Sequence, residues 1–449
     1  MRLAEEIVVV SDLHLASERG RGLFQADAAL AEFFTWVYEN VRPGHLILNG
    51  DTFDFLVRKD HETAINLDAA ASEARTIAEN HREVFQALSL IANSEHHELT
   101  IMGGNHDPEL SLAGVQREIE DPLSPSGSRP LIRWLINGEA VRFAVGDAKV
   151  LIEHGDQYDA WNWIDHESLR RVICLASRNV GYSNVYKSPP GSQLVVNRFN
   201  PLRNQFPWLA TLQPLTPTIL PLALEIILPQ LDKEQRKTLL KAVDEFSHYS
   251  LRSLLDLALR KLKPESAYWK EDDERQFLIE WLNQYEKDED TWGIVEETVE
   301  GFRRTLARLR NIIATGSLRR ISANDSFYEV EVMDSLVDPV TRLTEQGAHL
   351  VVFGHTHSAK AYLVGQGLYL NSGTWAQLTQ LPKGDATEAE WADFLQGLKE
   401  GRADSFCCPT FIRISKHQET TATLFEWRNG RPEAKSAWRF ATPGWQKEG

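Results

Sequence analysis

Short apolar runs that stop at polar residues recur along the chain, and each run predicts a buried β-strand. The first three such runs are residues 7–10, 46–48 and 99–102. They are rich in Val, Ile and Leu, a composition typical of strands in parallel sheets. Between them, apolar side chains recur at helical spacing over residues 27–40 and 68–93. This alternation of strand and helix predicts βαβ units and therefore an α/β fold.

Two later regions carry further strand patterns. In residues 131–152 apolar and polar residues alternate, and Asn137-Gly138 and Gly146-Asp147 mark turns. We therefore predict antiparallel strands over residues 131–136, 140–145 and 150–152. Residues 348–353 form one more buried run. We predict that antiparallel strands then close the fold over residues 362–364, 368–370, 411–414 and 422–427.

Residues 161–334 differ from the flanking sequence, because no strand in this segment ends in polar residues. Amphipathic patterns predict helices over residues 232–262 and 273–315. The strand pattern resumes only after the segment. This favours a helical cap inserted into one catalytic domain, which residues 1–160 and 335–449 would form. A separate helical domain is the alternative interpretation.

The first half of this segment is apolar but interrupted by proline. Prolines recur between Phe206 and Leu228, so this stretch cannot form one long helix. It either packs inside the cap, lines a groove for an acyl chain or forms a surface for a protein partner. Near the start of the segment, Trp161 and Trp163 either wall a pocket or pack in the core. We expect the cap to select the substrate, because its two ends adjoin the motifs described below.

Composition and charge limit the class of protein. The 449-residue chain is 42% hydrophobic and 25% charged, as ordinary globular proteins are. Its formal net charge of -16 disfavours non-specific binding to nucleic acids and anionic membranes. Its three cysteines offer neither a disulfide framework nor a Cys-x-x-Cys metal site. Because no run is long enough to span a membrane and no secretory signal is recognisable, we expect a soluble, cytoplasmic protein.

Polar side chains follow several predicted strands at the point where each strand ends. In an α/β sheet such ends share one edge, where ligands bind. Carboxylate, amide and imidazole groups together suit divalent cations such as Mn, Fe, Ni, Co or Zn. Seven ligands exceed the requirement of one ion, but they form two four-ligand sites if Asp51 bridges two ions. The seven side chains are those of Asp12, His14, Asp51, Asn105, His154, His355 and His357.

The motifs around these residues resemble, in type and order, the signature of the calcineurin-like metallophosphoesterases. The motifs are Asp12-Leu-His14, Gly50-Asp51-x-x-Asp54, Gly104-Asn105-His106-Asp107, His154-Gly-Asp156 and Gly354-His-Thr-His357. The resemblance implies a four-layer α/β/β/α sandwich. It implies that one metal ion is bound by Asp12, His14, Asp51 and His357. It implies that the other is bound by Asp51, Asn105, His154 and His355.

The same resemblance assigns roles to three residues that are not metal ligands. It implies that His106 lies beside the substrate and donates a hydrogen bond or a proton toward the phosphoryl oxygen or the leaving group. Asp107 would orient the ring of His106, and Asp54 would accept a hydrogen bond from a ligating group. A metal-bridging hydroxide would attack the phosphorus atom.

Within this superfamily the layout is similar to the branch of the UDP-2,3-diacylglucosamine pyrophosphatases. In both, a helical insertion directly follows the motif that here reads His154-Gly-Asp156. Members of that branch typically carry Arg at the position of His106, and Arg-Pro where this chain has Ser358-Ala359. The insertion of this chain is also much longer than theirs.

We therefore predict a dinuclear, metal-dependent phosphoesterase, with manganese as the first choice of metal and Fe, Zn, Ni or Co as alternatives. Its substrate would be a phosphodiester, a phosphomonoester or a pyrophosphate, with a nucleotide-linked lipid as one candidate. Two other classes stay open. The first is a nuclease or cyclic-nucleotide phosphodiesterase, which the acidic charge disfavours. The second is a non-catalytic, metal-dependent interaction protein that uses the insertion.

Overall fold

The computed structural model describes residues 1–18, 22–57, 65–124, 127, 129–182, 185–203, 205–213, 222, 226, 318, 319, 322, 323, 326–441 and 444–448. The predicted helices over residues 232–262 and 273–315 lie outside these residues, and so does most of the apolar stretch between Phe206 and Leu228. The substrate-selecting role of the insertion therefore stays a prediction.

The strands that the structure describes are, in chain order, β1 (Arg2–Leu3), β2 (Glu6–Val10), β3 (Gly44–Asn49), β4 (His97–Met102), β5 (Ile132–Leu135), β6 (Val141–Val145), β7 (Ala148–Ile152), β8 (Leu212–Gln213), β9 (Leu350–Phe353), β10 (Lys360–Val364), β11 (Gly367–Asn371), β12 (Gln377–Gln380), β13 (Phe406–Cys407), β14 (Thr410–Lys416), β15 (Thr420–Arg428), β16 (Arg431–Ala441) and β17 (Gly444–Lys447). The described α-helices are α1 (Asp27–Asn40), α2 (Leu67–Asn80), α3 (Arg82–Ala92), α4 (Ala113–Glu120), α5 (His166–Ala176), α6 (Pro190–Leu194), α7 (Asn200–Arg203), α8 (Val337–Glu345) and α9 (Glu388–Lys399).

The larger sheet has eight strands in the order β17-β16-β15-β14-β2-β3-β4-β5. Strands β2, β3, β4 and β5 pair in parallel, whereas β14 to β17 form an antiparallel extension beside β2. The three apolar runs at the start of the chain are thus confirmed as neighbouring parallel strands. The polar residues that follow them must therefore lie along one edge of this sheet.

The antiparallel pairing predicted for residues 131–136 is wrong, because β5 pairs in parallel with β4. Strand β5 lies at the end of the sheet and is only partly buried. The alternation of apolar and polar side chains along β5 results from this partial burial, and it does not show whether the neighbouring strand is parallel or antiparallel. The other two strands of the predicted group, β6 and β7, do form an antiparallel pair.

The smaller sheet has six strands in the order β1-β6-β7-β9-β11-β10. Strand β9, which follows the long insertion, pairs in parallel with β7 on one side and with β11 on the other. Strand β7 leads directly into His154, and β9 leads directly into Gly354 and His355. The predicted ligands on either side of the insertion therefore lie at the ends of adjacent strands.

Separate apolar cores lie on the two faces of the larger sheet. Along β2 successive side chains point to opposite faces. Ile7 and Val9 pack between the two sheets, whereas Val8 and Val10 pack against the helices, among them Leu30 of α1. This double burial explains why β2 reads as an uninterrupted apolar run.

A third core covers the outer face of the smaller sheet. There Val351 and Phe353 of β9 pack against Leu336 and Val340, at the start of and within α8. Helices, two sheets and α8 thus form four successive layers. The predicted α/β fold is confirmed, and this layering is that of an α/β/β/α sandwich.

The described helices over residues 68–93 correct one detail of the sequence pattern. The single helical stretch is divided into α2 and α3 at His81, which lies outside both helices. The buried ring of His81 lies 2.5 Å from Asp27 Oδ1 and 3.0 Å from the carbonyl oxygen of Ala16. These tertiary contacts fix the break, and the apolar periodicity does not show it.

Contacts between residues divide the chain into two compact units. The first comprises residues 1–211, 326–378 and 405–449, and the second comprises residues 212–325 and 379–404. Within the second unit, α9 begins with a capping box in which the Thr387 and Glu390 side chains each bind the backbone of the other. The predicted domain boundaries at 160/161 and 334/335 stay predictions. Among the described helices, none is long and apolar enough to cross a membrane.

A buried histidine of β3 makes the stability of the fold depend on pH. Burial lowers the pKa of His45 to about 4, and its Nε2 lies 2.7 Å from Thr100 Oγ1. In the unfolded chain His45 has an ordinary histidine pKa of about 6.5 and becomes protonated between pH 7 and pH 5, whereas in the folded chain it stays neutral. The free energy of unfolding should therefore fall by about 2 kcal/mol over this interval.

Urea unfolding at pH 7 and pH 5 measures this loss. Between pH 7 and pH 5 the decrease in the free energy of unfolding should be about 2 kcal/mol smaller for His45→Gln than for the wild type. His417→Gln, which replaces an exposed histidine, should retain the wild-type pH dependence. Equal pH dependence of His45→Gln and the wild type would contradict this assignment.

Candidate metal centre

The loops that carry the predicted ligands are joined by hydrogen bonds across both sheets. The amide of Asp12 donates to the carbonyl oxygen of Gly50 at 3.2 Å, and the amide of Gly354 donates to that of His154 at 2.9 Å. The ring of His154 donates through Nδ1 to the carbonyl oxygen of Asn49 at 2.8 Å, because a carbonyl can only accept. The ends of β3 and β7, from different sheets, thus meet at one place.

Asp12, His14 and His357 form a first cluster of possible ligands. The Nε2 atoms of His14 and His357 lie 2.9 Å apart, and Oδ1 of Asp12 lies 3.4 Å from Nε2 of His357. One ligand atom from each residue lies within 4.8 Å of the others. Two imidazole nitrogens and a carboxylate oxygen therefore converge on one point.

Asp51, His154 and His355 form a second cluster of the same kind. Oδ2 of Asp51 lies 3.4 Å from Nε2 of His154, and Nδ1 of His355 lies 2.9 Å from Oδ1 of Asn105. A further group of close ligand atoms joins Asp51 to His14 of the first cluster. The structure thus brings all seven predicted ligands together, with Asp51 between the two clusters.

The donor atoms themselves fit a cation. Oδ1 of Asp12 and Nε2 of His154 are buried and have no hydrogen-bond partner. Because Nδ1 of His154 donates to Asn49, Nε2 is the ring atom that faces Asp51. Burial would lower the pKa of this ring, but the carboxylate of Asp51 raises it well above its usual value. A buried carboxylate is costly unless a positive charge lies beside it, and in these clusters a proton on an imidazole or a bound cation can supply that charge. Nitrogen and oxygen donors without thiolates suit borderline divalent metals.

The backbone of the site is strained at the ligands. Five of the seven have left-handed backbone angles, which side chains other than Gly and Asn rarely adopt: Asp12 (φ 53°), His14 (φ 52°), Asp51 (φ 49°), His355 (φ 67°) and His357 (φ 60°). Elsewhere in the described residues the only such non-glycine positions are Asn179 and Asn429. Each strained residue costs on the order of 1–3 kcal/mol, and such strain concentrates at functional sites.

Two glycines allow the ligands to approach the backbone closely. A Cβ atom at Gly104 would overlap the carboxylate of Asp51, and one at Gly354 would overlap the carboxylate of Asp12. A side chain at either position would displace a predicted ligand. The glycines of these motifs are therefore required by the packing of the site.

His106 lies beside the clusters, and 17% of its side chain is exposed. Its amide donates to Oδ1 of Asp51 at 2.8 Å, and its ring Nδ1 lies 3.2 Å from Oδ1 of Asp54. Burial alone would lower the pKa of the ring, but the carboxylates of Asp51 and Asp54 outweigh it and raise the pKa to about 9. The ring of the metal-free protein is therefore protonated at neutral pH and offers a donor toward the open side.

The predicted role of Asp107 needs correction. Its two carboxylate oxygens accept from the amides of Gly104 at 2.6 Å, Thr52 at 2.9 Å and Phe53 at 3.2 Å, which joins the loops after β3 and β4. Burial, together with the nearby charge of Asp51, raises its pKa to about 8. The residue that contacts the His106 ring is Asp54, because the backbone amides already occupy Asp107.

The surroundings of Asp51 and His14 favour the protonation states in which these two residues bind metals. Burial would raise the pKa of Asp51, but the rings of His154 and His106 lower it well below its usual range. Burial lowers the pKa of His14 well below its usual value. Asp51 is thus an anion and His14 a neutral imidazole at neutral pH, the forms in which they bind metals.

Sequence patterns missed several residues that support the ligand loops. Nδ2 of Asn371 donates to the carbonyl oxygen of Gly354 at 2.7 Å and to Oγ1 of Thr356 at 3.1 Å, which holds the loop after β9. Ser11 donates to the carboxylate of Asp12 and lies 2.6 Å from Oγ of Ser372. Asn371 is the last residue of β11 and Ser372 follows it, so the rule that located the ligands would also have found this pair.

Another group was missed on the chain that follows β7. Oδ2 of Asp159 lies 3.2 Å from Nε2 of His355. Burial would raise the pKa of Asp159, but its hydrogen bonds with His355, Trp161 and Asn162 together lower it to about 2. Trp161 and Trp163 are 43% and 53% exposed, so they are not core residues. Burial would raise the pKa of Asp54, but the ring of His106 and, to a smaller extent, the charge of the buried Arg203 lower it to about 2.

Comparisons with known proteins agree with the motifs. Residues 6–218 match the family model of the calcineurin-like phosphoesterases, a span that includes Asp12 to His154 but ends before His355. No curated protein gives a match. A crystal structure of a conserved uncharacterized protein of Streptococcus pneumoniae TIGR4, described as a predicted phosphoesterase, aligns with 10% identity over 96% of each chain and a TM-score of 0.25. At that TM-score the alignment carries no argument.

Proposed function

We propose that this chain, whose residues 6–218 match the family model of the calcineurin-like phosphoesterases, is a hydrolase that uses two divalent cations to cleave a phosphate ester. One observation carries the proposal. Asp51 shares one cluster of buried donor atoms with His154 and His355 and also lies close to His14 of the cluster that contains Asp12 and His357. A core built only for stability would satisfy or remove such groups.

The residues sort into two candidate sites that share Asp51. Asp12, His14 and His357 would hold one cation with Asp51, and Asn105, His154 and His355 would hold the other. When bound, the cations would supply an activated water molecule and neutralise the phosphoryl oxygens. Asp51 would fix the separation of the two sites, because its carboxylate lies close to His154 and His355 of one site and to His14 of the other.

His106 has the position expected of a proton donor. It is the partly exposed imidazole beside the clusters, and Asp54 fixes its ring through Nδ1. Nε2 is thereby left for the substrate, where it would donate a hydrogen bond or proton to the departing oxygen. The exposed rings of Trp161 and Trp163 follow Asp159 closely and would contact the group esterified to the phosphate.

Removing the metal tests the proposal directly. The purified protein should hold two divalent ions per chain, and chelation followed by gel filtration should abolish hydrolysis of bis-p-nitrophenyl phosphate. Manganese added back should restore the rate, and a series with Fe, Zn, Ni and Co would identify the preferred metal. Hydrolysis that persists in metal-free protein would overturn the proposal.

The same assay separates the substrate classes. Rates on p-nitrophenyl phosphate, its bis-ester and a UDP-linked diacyl sugar would distinguish a monoesterase, a diesterase and a pyrophosphatase for nucleotide-linked lipids. Resemblance to the UDP-2,3-diacylglucosamine pyrophosphatases motivates the third substrate only. Binding of two ions without turnover of any ester would favour a non-catalytic interaction protein.

A further inference from the structure

We infer that Asp159 is a positioning residue that fixes the tautomer of His355, so that Nδ1 of His355 faces the metal centre. The inference deepens the proposed function and rests on it for the role of His355 as a ligand. Asp159 belongs to none of the motifs that identified the site, and the chain reaches it only after the His154-Gly-Asp156 motif.

The two ring nitrogens of His355 have different surroundings. Nδ1 lies 2.9 Å from Oδ1 of Asn105, another predicted ligand of the same cation, and Nε2 lies 3.2 Å from Oδ2 of Asp159. A neutral imidazole carries one proton, and a carboxylate attracts it more strongly than an amide oxygen does. The proton is therefore held on Nε2. Nδ1 and the amide oxygen of Asn105 are then two acceptors that face each other, an arrangement that a cation between them would stabilise.

The carboxylate of Asp159 is itself held in place before any ligand binds. Its Oδ1 accepts from the amide of Trp161 at 2.9 Å, and its Oδ2 accepts from Nδ2 of Asn162 at 2.7 Å. The amide of Gly191, in α6, donates to the carbonyl oxygen of Trp161 at 2.8 Å and fastens the turn. Asp159 is thus fixed by this turn and in its turn orients the ring of His355. Carboxylates that bind the second nitrogen of a metal-ligating histidine have the same effect in other proteins.

The contact to Trp161 determines what an amide would do at this position. A backbone N–H can only donate, so in Asp159→Asn the amide oxygen must stay with Trp161. The NH₂ group would then take the place of Oδ2, so the side-chain amide of Asn162 would turn its oxygen toward it and Nε2 of His355 would have to accept. The ring proton would move to Nδ1, where it blocks the predicted bond to the cation. One isosteric change should therefore reverse the tautomer.

The experiment reads the tautomer in metal-free protein. In ¹⁵N-histidine-labelled wild type, long-range ¹H–¹⁵N spectra should show His355 protonated on Nε2, with the signal assigned by its loss in His355→Gln. In Asp159→Asn the proton should appear on Nδ1. Asp165→Asn is the matched control, because Asp165 caps α5 by accepting from Ser168 at 3.1 Å and should leave His355 unchanged.

Metal titration gives the second readout. In Asp159→Asn the affinity for one of the two ions should fall by about 10–100-fold, and the affinity for the other ion should stay at the wild-type value. Should Asp159→Asn not fold, Asp159→Ala replaces it, and His355 should then populate both tautomers. An unchanged Nε2 proton in the variant that folds would overturn the inference. If the wild type binds no metal, the proposed function is wrong. The tautomer of His355 in the metal-free protein still shows whether Asp159 fixes it.

Discussion

Asp51→Asn should release both metal ions and lower phosphoesterase turnover by more than about 100-fold, since loss of an outer partner alone typically costs 10–100-fold. A neutral amide binds a cation far less well than a carboxylate. The structure also determines how the amide would lie. Because the amide of His106 donates to Oδ1 of Asp51, the variant would keep its oxygen there and turn its NH₂ group toward Nε2 of His154.

Metal content per chain, measured beside turnover, checks this result, and circular dichroism verifies that the variant is folded. Asp12→Asn is the comparison, because Asp12 belongs to one cluster only. It should lose one ion and retain most of the other. If Asp51→Asn keeps two ions and a normal rate, Asp51 does not bridge the two sites.

His106→Ala should keep both ions and lower turnover by about 10²–10⁴-fold, the usual effect of losing a general acid or an electrostatic contact. The physical reason is the position of the ring, which Asp54 holds at 3.2 Å on the accessible side of the clusters. The loss should be largest for an ester with a poor leaving group, because an activated group such as p-nitrophenolate needs little protonation.

Comparison with His106→Gln separates two functions of the ring. Glutamine can donate a hydrogen bond but cannot transfer a proton, so it should recover part of the rate on the activated ester and almost none on the poor one. His417→Ala, at an exposed position, is the control for removing an imidazole. Equal rates of His106→Ala and the wild type on a poor leaving group would exclude the proposed role.

The fold and the location of the site were predictable because one physical pattern specifies both. The run Ile7 to Val10 is apolar at every position, since β2 is buried on both faces. Its abrupt end at Ser11 and Asp12 marks where the backbone leaves the core. The same rule located Asp51, Asn105, His154 and His355, because parallel strands direct their carboxyl ends to one edge.

Details that depend on partners distant in sequence were not predictable. The alternation in β5 did not specify a parallel neighbour, and nothing near His81 indicated that Asp27 would break a helix there. The ring of His106 is held by Asp54, from the loop after another strand, and not by its neighbour Asp107. In each case the contact is made with a residue of another strand, helix or loop, and the periodicity of the sequence does not show which residue that is.

The left-handed angles of the ligands have a consequence for evolution in the laboratory. Glycine adopts such angles without strain, so replacing a strained ligand by glycine relieves a cost of the order of 1 kcal/mol or more. A library of variants screened for thermal tolerance alone, without metal, should therefore accumulate glycine at the strained positions that are only partly buried, His355 and His357. The variants with the highest thermal tolerance would then be ones without metal-dependent activity, unless each round of selection also required that activity.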